Sequence, residues 1–120
     1  MTHNRITHAI LVRAREILAD PARWTRGEAA RTKTGIATAS SSEHATCFCT
    51  IGAMERARHE LGKRSGEVDR AMQAFRDAIP PGRPRILIST FNDDPKTKHE
   101  DILTVLDTAI LNMTPEPATP

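Results

Sequence analysis

Thr97-Lys98-His99-Glu100-Asp101-Ile102-Leu103-Thr104-Val105-Leu106-Asp107-Thr108-Ala109-Ile110 decides how the chain is read. Ile102, Leu103, Leu106, Ala109, Ile110 and Met113 recur at helical spacing, and Thr97 to Glu100 has capping-box form, so the stretch predicts an amphipathic helix. Upstream, Val68, Ala71, Met72, Phe75 and Ile79 repeat at three and four in a helix opening near Ser65, which Pro80-Pro81-Gly82-Arg83-Pro84 must end. Cys47, Ile51, Met54, Ala57 and Leu61 share another helical face, with Gly62 as its stop. Ile6, Ile10, Ala14, Ile17 and Leu18 mark a first helix over about 5–19, which Asp20-Pro21 closes while beginning a short second turn.

Two segments fit less well. Ile86-Leu87-Ile88 suits a strand or a buried turn of helix, and with no partner strand in view it reads as helix. Between Thr25 and Thr46 the only large apolar residue is Ile36, so this region predicts a long loop carrying at most a small hairpin around Gly35. The expectation is a mainly α fold, a compact bundle of four to five helices with a long loop or small hairpin after the first helix. Residues 1–113 form the single domain, with 25–46 as the long loop and 114–120 as a disordered tail. No internal repeat is visible.

The chain has 120 residues, 38% hydrophobic and 27% charged, which suits one modest core and excludes a two-domain enzyme. Trp24, Phe48, Phe75 and Phe91 are its aromatic residues and it has no Tyr, too few for a base-stacking platform. The net charge is +2, but residues 1–35 carry seven Arg or Lys against three acids, +4, and the remainder carries −2. Cys47 and Cys49 stand too close in sequence for a relaxed disulfide and read as free thiols. No apolar run approaches a membrane span, and the N-terminus leads into an amphipathic pattern instead of a signal-peptide core. A cytoplasmic location is the expectation.

Cys49 is the first candidate for chemistry, because a helix N-terminus lowers a thiol's pKa. The competing reading is a packed, inert thiol. His99 is the second, in the first turn of the last helix, where the dipole favours a neutral ring that can accept a proton. Asn92 or Asp93 could orient that ring, completing a nucleophile, base and orienter. The alternative is that Asn92 and Asp93 cap the turn before Pro95 while His99 bonds loop carbonyls. His44, Cys47 and Cys49 match no zinc knuckle, and on a helix Cys49 and His59 would lie about 15 Å apart, so no metal site is assigned. Nucleotide-loop and metalloprotease signatures are absent, and no cofactor is expected.

Arg15 through Gly27 with its Asp20-Pro21-Ala22-Arg23-Trp24, then Phe48-Cys49-Thr50-Ile51-Gly52-Ala53, then Phe91-Asn92-Asp93, and then His99 with Val105-Leu106-Asp107-Thr108-Ala109-Ile110 resemble, in that order, an uncharacterised family of small bacterial and phage proteins. Its members read L-x-D-P-x-x-W-x-x-G, W-C-x-x-G-A, F-N-D and T-H-x-x-V-L-x-x-x-D-x-A-I. Here Phe48 stands where Trp is usual, losing an indole donor, and Lys98 stands where Thr precedes His. The resemblance places Cys49, Gly52, Asn92, Asp93, His99 and Asp107 at motif positions and implies one compact domain. It transfers no activity, and its phage setting implies an accessory role in host interaction or counter-defence.

Three functions follow as expectations. The first is a non-catalytic helical interaction module for a protein partner, whose F-N-D and His99 fasten the loop before the last helix and whose basic N-terminal region or long 25–46 loop meets the partner. The second is a small thiol-dependent hydrolase or transferase using Cys49 and His99. The third is an electrostatic nucleic-acid binder, with Arg5, Arg13, Arg23 and Arg26 as the partner-binding residues. No membrane partner is expected.

Overall fold

The structure is a computed structural model that describes residues 3–113. The expected tail at 114–120 lies outside them. Helix α1 (His3–Ile17) buries Ile10, Leu11, Ala14 and Ile17. At Asp20 the side chain accepts the Ala22 N–H at 2.9 Å, and Pro21–Arg23 turn as one short 3-10 helix that delivers Trp24 to the core edge.

The region read as a long loop is instead a small sheet. Strands β1 (Ala30–Thr32), β2 (Ala37–Thr38) and β3 (Ala45–Phe48) pair antiparallel in the order β2-β1-β3. The hairpin around Gly35 is present, with Gly35 at φ 88° where a β-carbon would be strained. The third strand is hard to read because β3 buries only Ala45 and Phe48, three residues apart, which is not the alternation of a half-buried strand, and Cys47 falls at helical spacing from Ile51. The fold is therefore mostly helical with a small sheet, not a pure bundle.

Cys47 lies in β3, half-buried, not on a helical face with Ile51. Helix α2 (Thr50–Glu60) starts after it, with Cys49 as N-cap. Gly52 in its first turn presses against Ala29, the residue before β1: a β-carbon there would sit 1.8 Å from the Ala29 carbonyl oxygen. Helix α3 (Glu67–Ala78) follows, and α4 (Ile88–Asp93) is short. Of the Ile86-Leu87-Ile88 run only Ile88 joins α4 and the core; Ile86 and Leu87 are exposed, so the run is no buried turn. Helix α5 (His99–Asn112) closes the chain. Its N-cap is Lys98 and not Thr97, because the Asp101 carboxylate accepts the Lys98 N–H at 2.9 Å while Thr97 is engaged elsewhere.

Helix α1 packs against α2, α3 and α5, and α3 against α5. Phe75 and Phe91 meet edge to face with centroids 6.0 Å apart, which pins short α4 to α3. Glu60 ties α1 to α2 by accepting from Arg13 at 2.7 Å and Arg56 at 2.9 Å. Burial pushes the Glu60 carboxyl up, but these two guanidiniums outweigh it and hold the group below its ordinary value. Arg56 also donates to the Ser40 and Ser42 carbonyls, so the same side chain fastens the β2–β3 connection.

Candidate functional site

Asn92 is fully buried and stands at the centre of the motif residues. Its Oδ1 accepts the Trp24 Nε1–H at 2.8 Å, the Thr50 N–H at 3.0 Å and the Thr50 Oγ1–H at 2.7 Å. Its Nδ2 donates to the Thr25 carbonyl at 3.1 Å and to Asp93 Oδ1 at 2.9 Å. Asp93 Oδ1 also accepts the Gly27 N–H at 3.0 Å. A side chain in this position has no spare capacity, because an amide offers two donor hydrogens and one oxygen, and all are used. Asn92 and Asp93 therefore bind the 24–27 segment to the N-terminus of α2, and do not cap the turn before Pro95. That turn is closed by Asp94, whose Oδ1 accepts the Lys96 N–H at 3.0 Å.

His99 is spent in a similar way. The Leu18 carbonyl accepts its Nε2–H at 2.6 Å, which fixes the ring tautomer. The ring centroid lies 6.0 Å from that of Trp24, so the imidazole and the indole brace each other while Asn92 holds the indole N–H. His99 bonds a loop carbonyl, that of Leu18 in the turn directly after α1.

Cys49 is 8% exposed. Its sulfur accepts the Gly52 N–H at 3.3 Å, as an N-cap should. Burial pushes the thiol up; the backbone N–H groups of the helix start pull the other way without prevailing, and the negative Asp93 adds to the rise. The helix N-terminus is thus present as expected, but desolvation outweighs it. No hydrogen bond joins Cys49 to His99 among the described residues, and His99 has no part in the shift at the thiol. Cys49 and Asp93 do meet, at a hollow of about 220 Å³ that Gly27, Glu28 and Ser89 also line. One residue from each of three motifs, Gly27, Cys49 and Asp93, reaches it.

The basic residues are mostly occupied. Arg13 pairs with Glu60 and Glu16. Arg23 lies 5.7 Å from the Phe48 ring centroid and its Nε–H reaches the Thr46 carbonyl at 3.4 Å. Arg26 stacks 4.6 Å over the Trp24 ring and donates to the Thr97 carbonyl. Arg5 is exposed near the start of α1. Arg15, not among the candidates, donates to Asp107 at 2.9 Å, which gives the Asp107 motif position its role of tying α5 to α1. Among the described residues no group of three His, Cys, Asp or Glu side chains is placed to hold a metal. No helix there is long and apolar enough to cross a membrane.

Sequence reasoning missed Thr50, the donor of two of the bonds to Asn92, and the buried Thr97, whose hydroxyl accepts from Arg83 at 2.6 Å. The one available signal was Trp24: the chain's sole tryptophan carries an N–H that needs a partner when it packs. Comparison with curated proteins and with solved structures finds no match. A family model does match, over residues 3–112, and the chain belongs to that family of unknown function, DUF6197.

Proposed function

We propose that the chain is a non-catalytic interaction module that binds a protein partner, with its motif residues serving to hold one rigid surface in shape. The observation that carries this reading is the saturation of Asn92: a group with every donor and acceptor engaged inside the protein cannot also orient a catalytic ring. His99 on the Leu18 carbonyl and the buried, protonated Cys49 support it. The two free thiols favour a cytoplasmic setting, and the resemblance to phage proteins favours an accessory role in a phage or mobile element.

The test is alkylation of Cys47 and Cys49 followed separately by mass spectrometry across pH, with and without His99→Ala. In the folded protein Cys49 should react more slowly than Cys47 and at a higher pH than an ordinary thiol, and His99→Ala should not slow it. A Cys49 that reacts below the usual thiol range of about 8.5 and loses that reactivity with His99→Ala would replace this reading with the thiol enzyme.

A further inference from the structure

Exposed aliphatic residues at Ile36, Leu61 and Leu111 stand singly, but Ile86 and Leu87 stand together, 88% and 58% exposed. They bound a hollow of about 330 Å³ with Pro84, Arg85 and Thr90. An adjoining hollow of about 500 Å³ shares Pro84 and Thr90 and carries Asp93 and Asp94. The Pro80–Pro84 run stiffens the approach to this surface, and Phe91 on the inner face of α4 anchors it to the core. It is therefore a preformed surface with an apolar end and an acidic end.

Resting on the interaction reading above, we propose that this surface docks an extended segment of a protein partner that carries an apolar side chain and, three residues away, a Lys or Arg. The spacing follows from geometry. Leu87 to Asp93 spans one short helix, about 9 Å at 1.5 Å per residue, and an extended chain covers that in about three residues at 3.3 Å each. The charge follows from the carboxylates. Asp93 commits Oδ1 to Gly27 and Asn92, which leaves Oδ2 for a cation, whereas Asp94 is already paired with Arg83 at 3.7 Å, so Asp93 is the carboxylate that meets the partner's charge. Arg85 at the other end repels a second cation and favours an acidic residue on the far side of the apolar one.

Other occupants fit less well. Two exposed aliphatic side chains fall far short of the roughly 800 Å² per partner of a standard interface between whole domains, which disfavours a second copy of the chain. A flat anionic lipid surface would meet Arg85 but offers no cation to Asp93.

The experiment uses fluorescein-labelled synthetic ten-residue peptides with one Glu, one Leu and one Lys, the Lys moved from one to five positions after the Leu. Polarisation titrations on the full chain should show tightest binding at three, about three- to fivefold better than at one or than a Lys-to-Ala peptide, as a rim ion pair provides. Leu87→Asp should weaken binding at least about tenfold, since it removes the apolar contact from an exposed position where folding does not depend on it. Asp93→Asn should erase the preference for Lys, because the amide oxygen can still accept from Gly27 while the charge is gone. Absence of binding, indifference to spacing, or indifference to Leu87→Asp would overturn the proposal. So would a dimer that Leu87→Asp dissolves in sedimentation, or capture by phosphatidylserine vesicles that depends on Leu87. Peptides protecting only the Ile36 hairpin in hydrogen exchange would overturn this surface and leave the interaction reading standing, whereas fast, His99-dependent alkylation of Cys49 would overturn that reading itself.

Discussion

Replacing Asn92 with Ala should cost the fold about 3–5 kcal/mol. The change strands the Thr50 N–H, the Trp24 indole N–H and the Thr25 carbonyl at once, and a buried polar group without its partner costs about 1–3 kcal/mol. Thr50 is fully buried and takes the upper part of that range, while half-buried Trp24 and Thr25 take the lower part. At about 2.1 cal/mol/K per residue, 120 residues give an unfolding entropy near 0.25 kcal/mol/K, so the midpoint should fall by about 12–20 °C. Scanning calorimetry with a urea titration measures both quantities. Asn92→Asp sharpens the test, since it keeps the acceptor for Trp24 and Thr50 but turns a second oxygen toward the Thr25 carbonyl and Asp93. Its carboxyl should have a folded pKa raised above the unfolded value near 3.9, so the variant should lose stability as pH rises through that folded pKa and recover on acidification. A cost below about 1 kcal/mol for Asn92→Ala, or an Asn92→Asp protein as stable as the parent at pH 7, would refute the claim that Asn92 holds the 24–27 segment to α2.

Gly52→Ala should unfold the protein or displace β1 from α2, because the new methyl would meet the Ala29 carbonyl oxygen at 1.8 Å; loss of amide protection at Ala30 and Cys49 in hydrogen exchange measures it. The raised Cys49 thiol stabilises the fold below the unfolded thiol pKa and loses that contribution as pH rises through its folded value, so alkaline unfolding should move to higher pH in Cys49→Ala, read by circular dichroism. Glu60 has the opposite sign: held low, it contributes above its unfolded pKa and loses that contribution as pH falls through the folded one, so Glu60→Gln should flatten the acid limb of the stability curve. His99→Ala should destabilise by about 1–2 kcal/mol through the orphaned Leu18 carbonyl and shift Trp24 emission to the red as the indole loses its neighbour.

Helices α1 and α5 were legible because each buries large aliphatics at helical spacing, while α2 was legible more through Gly62 than through its face, which buries Ala53, Met54 and Ala57 but leaves Leu61 exposed; Asp20-Pro21 and Gly62 are local stop signals that need no tertiary context. The sheet was not, because β1 and β2 bury only Ala30 and pair through backbone bonds, which leave no hydrophobic pattern in the sequence. At the site, the sequence pointed to Cys49, Asn92, Asp93 and His99; Cys49 and Asp93 line one hollow and Asn92 and His99 both touch Trp24, but no contact joins Cys49 to His99 among the described residues. Their roles were not readable, because the partners of Asn92 and His99 are a distant indole, a distant threonine and a main-chain carbonyl. Identity of a polar residue is written locally; what satisfies it is decided by the chain's return path.

That return path has a temporal side. Trp24 waits for Asn92 across 68 residues, Gly27 for Asp93 across 66 and Leu18 for His99 across 81. At a synthesis rate of about 5–20 residues per second, the first of these gaps takes roughly 3–14 s to close on a ribosome. During that interval the nascent N-terminal half carries an unclaimed indole and a sheet without its clasp, a state open to proteases and chaperones. Completion of α4 and the first turn of α5 then closes several distant contacts together, which makes the final folding step abrupt and leaves C-terminally truncated chains unable to take it.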